Sequence, residues 1–325
     1  MLKIGSLQLK HPFFQAPLSG YSDYAMRRVA VDFGCPLTFA GVMLAKISMH
    51  PKILRKKEFT PREDEHPVGA QILGFEPEMM VAAAKGLVGI GYDLIDLNFA
   101  CPAPKVLRRG RGGSLLKDPD TVIKIFRSVR DAVTCPVTMK LRYGYDSCDE
   151  NRDKFWKICE MASAEGIDCL GVHGRTVMEK YRGKADWQVL KQLKKEFPQT
   201  TIVGSGDLFK AEDIVNKIKD SGIDGVILAR GAIGNPWLFA DLKEALAGRP
   251  IPAPPGLEQQ GQTILKHFEL IREIYKPGKA ARYFRKFLIN YCKRHPQRKK
   301  AQADFIAAKN ESELLPAIKH WYNLN

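Results

Sequence analysis

The chain has 325 residues, 45% of them hydrophobic, and 51 Lys and Arg against 36 Asp and Glu give a net charge of +15. No apolar run reaches the roughly 18 residues of a membrane span, residues 1–5 lack the apolar core of a secretory leader, and seven cysteines without a C-x-x-C spacing indicate neither a disulfide framework nor a zinc or iron–sulfur site. The expectation is a cytoplasmic, monomeric protein with free thiols, no metal and no membrane contact, whose basicity favours a polyanionic partner such as nucleic acid.

In chain order, eight short β-branched or apolar runs read as strands: Phe13–Ala16, Leu37–Ala40, Val68–Leu73, Leu94–Asn98, Val137–Leu141, Cys169–His173, Thr201–Gly204 and Gly225–Leu228. Amphipathic helical segments lie between them, including Pro77–Val88, Pro119–Ala132, Lys154–Glu165, Ala211–Ser221 and Pro236–Ala247. This βα alternation predicts a parallel sheet. Eight units in about 240 residues, with no G-x-G-x-x-G after the first strand, predict a closed TIM (β/α)8 barrel over residues 1–247. Residues 248–256, GRPIPAPPG, form a Pro-rich linker that cannot continue a helix. Residues 257–325 then read as a small, all-helical C-terminal domain. Residues 251–325 carry 14 Lys and Arg against 6 Asp and Glu, a net +8 and more than half of the excess charge. On a helical wheel Lys279, Arg282, Lys286 and Lys293 share one face, opposite Phe284, Phe287, Leu288 and Tyr291. That stripe is a candidate nucleic-acid contact, and a solvated helix face is the alternative.

Barrel chemistry sits at the C-terminal ends of strands, and those ends are polar here. The segment Asp96–Lys117, DLNFACPAPKVLRRGRGGSLLK, sets Cys101 between a buried strand and a loop holding Arg108, Arg109 and Arg111 among glycines. A thiol beside permissive backbone and fixed positive charge has the make-up of a reacting group facing an anion, although cysteine is also a common small core residue. Lys140 lies inside the apolar run PVTMKL and would lose its solvation without an anionic partner, unless it snorkels to the surface. Gly204-Ser-Gly-Asp207 and Ala229-Arg-Gly231 have the composition of a phosphate cradle on the last two strands.

An ordered series of motifs resembles the tRNA-dihydrouridine synthases, FMN-dependent enzymes that reduce uridine in tRNA, and most of all their bacterial B type. The series is APLSGYSD at 16–23, GAQILG at 69–74, DLNFACPAPKV at 96–106, GGSLLKDP at 112–119, MKLRYGYD at 139–146, HGRT at 173–176 with YRGKADW at 181–187, GSGD at 204–207 and ARGAIGNPWLF at 229–239. The resemblance implies that FMN reduced by NADPH delivers hydride to C6 of the uracil while Cys101 donates the proton to C5; thiols are mostly protonated at neutral pH and can act as general acids. It further implies that Gln71 and Lys140 hydrogen-bond the flavin ring, that Pro17 and Leu18 pack on it with Ala16 also in the cofactor site, and that Asn98 orients the ring or the base. By the same resemblance His173 and Arg175 lie near the flavin or its phosphate, and Ser205, Gly206, Asp207, Ala229 and Arg230 close the phosphate site. The helical domain, with Lys279, Arg282, Lys286 and Lys293, and the cysteine loop with Arg108, Arg109 and Arg111, would grip tRNA. Where the family usually has Gly before the cysteine and Asn in the seventh-strand motif, this chain has Ala100 and Ser205. Two other readings of the residues are an FMN barrel oxidoreductase acting on a free small molecule and a catalytically silent tRNA-binding protein.

Overall fold

The computed structural model describes residues 1–54 and 60–325. An antiparallel hairpin, β1 (Leu2–Ile4) and β2 (Leu7–Leu9), precedes the strands β3 (Phe13–Gln15), β4 (Thr38–Phe39), β5 (Met43–Leu44), β6 (Val68–Leu73), β7 (Leu94–Asn98), β8 (Val137–Arg142), β9 (Cys169–His173), β10 (Ile202–Ser205) and β11 (Gly225–Leu228). Parallel pairing runs in the order β3-β11-β10-β9-β8-β7-β6-β4, with the short β5 also pairing with β6. The Gln15 N–H donates to the Leu37 carbonyl at 3.1 Å and closes the ring. The expected (β/α)8 barrel is therefore the observed fold, and each of the eight sequence-read strands is present.

The side-chain period of two divides every strand between the helical shell and the lumen. In β7 the outward Ile95 and Leu97 join the large core under the helices, whereas Leu94, Asp96 and Asn98 point inward. In β8 the inward set is Thr138, Lys140 and Arg142. The hairpin, which sequence reasoning did not identify, plugs the N-terminal end: Leu2, Ile4 and Leu9 are buried against Phe14, Phe39, Leu94, Cys169, Val203 and Ile227. With the base sealed, the lumen opens at the C-terminal mouth.

The helix Tyr24–Asp32 follows β3 and was likewise not read from sequence. Its buried Arg27 makes a two-pronged ion pair with the equally buried Glu65, Nε to Oε2 at 2.7 Å and Nη2 to Oε1 at 2.8 Å, and its Nη1 donates to the Ser22 carbonyl at 3.1 Å. This fixes the loop after β3. The helix expected at Lys154–Glu165 begins earlier, as Asp149–Ala164, because Asp149 and Glu150 suit the positive end of its dipole.

Beyond 248–256, helices Leu257–Ile274, Pro277–Tyr291, Arg298–Ala307 and Glu311–Trp321 form the C-terminal unit. Its core is continuous with the barrel's flank: Ala25, Met26 and Trp237 pack with Ile264, Phe268, Ile271, Phe284, Phe287, Leu288 and Tyr291. His267 is buried in this core, with Nδ1 at 3.0 Å from the Tyr291 hydroxyl. Burial, aided by Lys286, lowers its pKa to about 3. A group whose folded pKa is depressed binds fewer protons folded than unfolded, so stability falls as pH drops below about 6.5. For His267 alone the loss by pH 5 is about 2 kcal/mol. Urea midpoints measured between pH 7 and pH 5 should show it, and a His267→Phe variant should flatten that slope; an equal slope in the variant would place the acid sensitivity elsewhere. No helix among the described residues is long and apolar enough to cross a membrane.

Candidate functional site

At the C-terminal mouth a cleft is lined by Ala16, Pro17 and Leu18 after β3, Gln71 on β6, Asn98 and Cys101 from β7, and Lys140 on β8. His173 of β9, Ser205, Gly206 and Asp207 of β10, and Ala229 and Arg230 after β11 complete the wall. Thirteen of the fourteen sequence-derived cysteine and cofactor positions thus border one space. The remaining one, Arg175, is buried behind the wall.

Strand register explains the gathering. Gln71 stands beside Asp96, Asn98 beside Lys140, Arg142 beside His173, and His173 beside Ser205. Asp96 is buried in the lumen, where its Oδ1 accepts from Thr138 Oγ1 and its Oδ2 from Gln71 Nε2, both at 2.6 Å. Gln71 Oε1 then accepts from Asn98 Nδ2 at 2.6 Å, leaving Asn98 Oδ1 to accept the backbone N–H groups of Ala100 at 3.1 Å and Cys101 at 3.0 Å. A carboxylate can only accept, so Asp96 fixes the orientation of both amides as far as the cysteine loop. Burial raises the Asp96 pKa, opposed by the Thr138 and Gln71 hydrogen bonds and the charge of Lys140.

The cysteine loop is also held from its other side. Arg142 Nε donates to the Ala100 carbonyl at 3.0 Å, and the Gly113 N–H to the Cys101 carbonyl at 3.1 Å. Gly112 has φ +56°, and a Cβ there would stand 2.9 Å from Cys101 Cβ, so this approach requires glycine. All seven cysteines are free thiols, and Cys101 is partly exposed to the cleft.

Lys140 reaches the cleft through room left by Gly171, where a Cβ would meet its Cδ at 3.0 Å. Its Nζ has a long contact, 3.4 Å, to the Leu141 carbonyl. Burial and the nearby Arg142 charge lower its pKa to about 7, against the pull of Asp96. A poorly partnered ammonium aimed into a cleft is poised for an acceptor supplied from outside the chain.

His173 has a fixed tautomer. Arg175 Nη1 lies 3.3 Å from its Nε2 and can only donate, so Nδ1 carries the proton and gives it to Ser205 Oγ at 3.2 Å. Ser205 in turn donates to the Val172 carbonyl at 3.4 Å. Burial and the charges of Lys140, Arg142, Arg175 and Arg230 drive the His173 pKa down to about 2, so the ring stays neutral. Ser205 therefore serves as acceptor for the histidine.

Arg175 binds the carbonyls of Arg182 at 3.0 Å and Gly183 at 2.7 Å, and Asp207 Oδ2 at 2.6 Å. Asp207 also accepts the Ala185 N–H at 2.8 Å and lies 3.5 Å from Arg230. Burial alone would raise the Asp207 pKa, but Arg175, the Ala185 amide and Arg230 hold it below the usual range. Its carboxylate is committed to these partners, so what Asp207 offers the cleft is its backbone. Among the described residues, none accepts from the amides of Gly206, Arg230 and Gly231. These amides and the half-exposed Arg230 guanidinium form a cradle for an anion. Sequence reasoning left Arg142, Val42, Tyr181 and Phe209 out of the site; all four line the cleft.

Of the groups assigned to tRNA, Arg108, Arg109, Lys279, Arg282 and Lys293 are exposed and Arg111 is half-buried. Lys286 is placed differently. Its Nζ bonds the Gly20 carbonyl and lies 3.1 Å from the Tyr283 ring centroid, between Tyr21 and Phe287, and burial lowers its pKa to about 8. It ties the helix Pro277–Tyr291 to the loop after β3, whose Pro17, Leu18 and Ser19 line the cleft. Among the described residues no group of three His, Cys, Asp or Glu side chains could hold a metal ion.

The family described as dihydrouridine synthase (Dus) matches residues 14–321. The chain is 32% identical over 327 residues to the tRNA-dihydrouridine synthase B of Pasteurella multocida (strain Pm70), covering 99% of this chain and 96% of that one. It is 33% identical over 276 residues to a probable tRNA-dihydrouridine synthase of Rickettsia conorii, covering 85% and 82%. Among solved structures, histamine dehydrogenase from Rhizobium sp. 4-9 has a TM-score of 0.58 at 17% identity, and the match covers 83% of this chain and half (50%) of that one. Morphinone reductase in complex with tetrahydroNAD has a TM-score of 0.53 at 15% identity, covering 78% and 91%. At such identities the structural likeness shows the barrel fold.

Proposed function

Because the chain belongs to the dihydrouridine synthase family, we propose that it reduces uridine in tRNA to 5,6-dihydrouridine, using FMN with NADPH as electron source. The observation that carries this reading is the single cleft in which Cys101 and the half-buried Lys140 stand with an anion cradle that includes the exposed Arg230.

The cleft suits FMN. Ala16, Pro17 and Leu18 offer an apolar wall for a flat ring, Gln71 and Lys140 offer polar groups to its edge, and the amides of Gly206, Arg230 and Gly231 with the Arg230 side chain suit a phosphate. A Cβ on Gly231 would lie 2.1 Å from the Leu208 carbonyl, so this turn requires glycine. FMN held by these residues would supply the hydride for C6 of the uracil.

The chain supplies the rest. Cys101 is the general acid: its S–H bond breaks as the C5–H bond forms, and the thiolate is left within electrostatic reach of Arg142, which remains cationic although burial lowers its pKa to about 10. Asn98 holds the loop that aims the thiol. Neutral His173 cannot compete as the acid at working pH. Arg175 and Asp207 act as positioning residues behind it. Arg108, Arg109, Lys279, Arg282 and Lys293 supply phosphate contacts around the mouth, so binding should weaken steeply with salt.

The test is nucleoside mass spectrometry of an unmodified tRNA transcript incubated with the protein, FMN and NADPH. The expected result is dihydrouridine at defined uridines. Unmodified tRNA in the presence of bound, reducible flavin would overturn the reading in favour of a free small substrate, and a protein that binds tRNA but no flavin would favour a silent binding protein.

A further inference from the structure

The mouth carries large exposed rings that have no part in the flavin contacts or the proton donation described above. Phe75 is 37% exposed and Phe209 is 50% exposed. Phe75 follows the end of β6 and Phe209 the end of β10. In the ring order these two strands lie four places apart in either direction, so the two phenylalanines occupy opposite rims of the barrel mouth.

Each has an arginine over its face. Arg111 lies 5.6 Å from the Phe75 ring centroid, and Arg230 lies 4.5 Å from that of Tyr181 and 5.7 Å from that of Phe209. Arg111 Nε is buried and has no hydrogen-bond partner among the described residues. Single exposed apolar residues are ordinary on a protein surface. Two on opposite rims, each under an arginine and beside a cleft, make a pattern. Its chemistry is a π-face for stacking on each rim, with Arg111 at Phe75 a cation that the flavin phosphate does not claim, which matches an unpaired nucleotide rather than an apolar protein surface.

Extruding a base for chemistry removes one stacking partner from each of its two neighbours. We propose that Phe75 with Arg111 and, across the mouth, Phe209 form a two-point clamp that stacks the nucleotides on either side of the uridine in the cleft. The clamp rests on the tRNA reading above and adds how the strand is held open. Every base has a π-face, so the clamp reads an unstacked strand and not its sequence, and duplex RNA is a poor ligand for it.

Fluorescence anisotropy of a labelled tRNA transcript with the flavin-loaded protein tests it. Phe75→Ala and Phe209→Ala should each weaken binding about 5- to 150-fold, the range for loss of one base stack. Their salt dependence should match the wild type because no charge is removed, whereas Arg111→Ala should lower the slope by about one unit. Phe→Leu variants keep the apolar volume and lose the ring, so they should bind like the Ala variants; Phe→Tyr should restore affinity. In turnover the Ala variants should raise KM for tRNA far more than they lower kcat. Wild-type affinity in both Ala variants, or in both Leu variants, overturns the clamp while leaving uridine reduction in place. A wild-type protein that neither binds nor modifies the transcript overturns the tRNA reading and the clamp with it.

Discussion

Replacing Cys101 by Ala is expected to slow dihydrouridine formation about 10²- to 10⁴-fold, the usual worth of a positioned general acid, with flavin and tRNA still bound. The separation is expected because the backbone, not the thiol, sets the loop. Asn98 Oδ1 holds the amides of Ala100 and Cys101, Arg142 holds the Ala100 carbonyl, and the Gly113 amide holds the Cys101 carbonyl. Each of these contacts survives truncation of the side chain. Single-turnover mixing of reduced protein with tRNA resolves the step. A Cys101→Ser variant, with a far weaker acid of similar size, should resemble Ala more than the wild type. Equal rates in wild type and Ala would assign the C5 proton to another donor.

The barrel was legible because buried parallel strands are near-continuous apolar runs that survive as a one-dimensional pattern. The hairpin β1–β2 was not, since three-residue strands carry too little alternation to register. Only the tertiary fact that LKI and LQL seal the lumen gives them meaning. In the site, Lys140 stood out as a charge in an apolar strand, and Arg142 carried the same signal at i+2, which places it on the same inward face. Tyr181 and Phe209 come from loops whose path no local pattern dictates.

The wheel grouping of Lys286 with Lys279 and Arg282 was sound for the helix, but a wheel does not say what lies across from a face. The loop after β3 covers that position and converts one cation of the stripe into a tether. Ser205 shows the reverse case. It stands where the family usually has Asn, and its hydroxyl is engaged by His173 and Val172.

The second large effect is expected at Asp96, which touches neither the thiol nor the mouth. An Asn there is nearly isosteric but can donate, which permits Gln71 to turn its oxygen inward and its amide outward. Asn98 must then present Oδ1 to Gln71 and turn Nδ2 toward the amides of Ala100 and Cys101, setting donor against donor. The loop comes off its anchor, and a displacement near 1 Å at a reacting group costs about 10²-fold in rate. Asp96→Asn should therefore slow proton delivery to that extent. It should also change a property that a merely loosened fold would not. Asp96 is the larger of the influences that oppose the lowering of the Lys140 pKa, which stands at about 7; without it the ammonium loses its proton at lower pH. On the proposed reading the cationic lysine attracts FMN, so wild-type affinity should weaken as pH rises through about 7, and in Asp96→Asn the same weakening should begin at lower pH. Titrating FMN fluorescence quenching from pH 5.5 to 8.5 measures both curves. Coincident curves would remove Asp96 from control of Lys140 and leave it only the orientation of the amides.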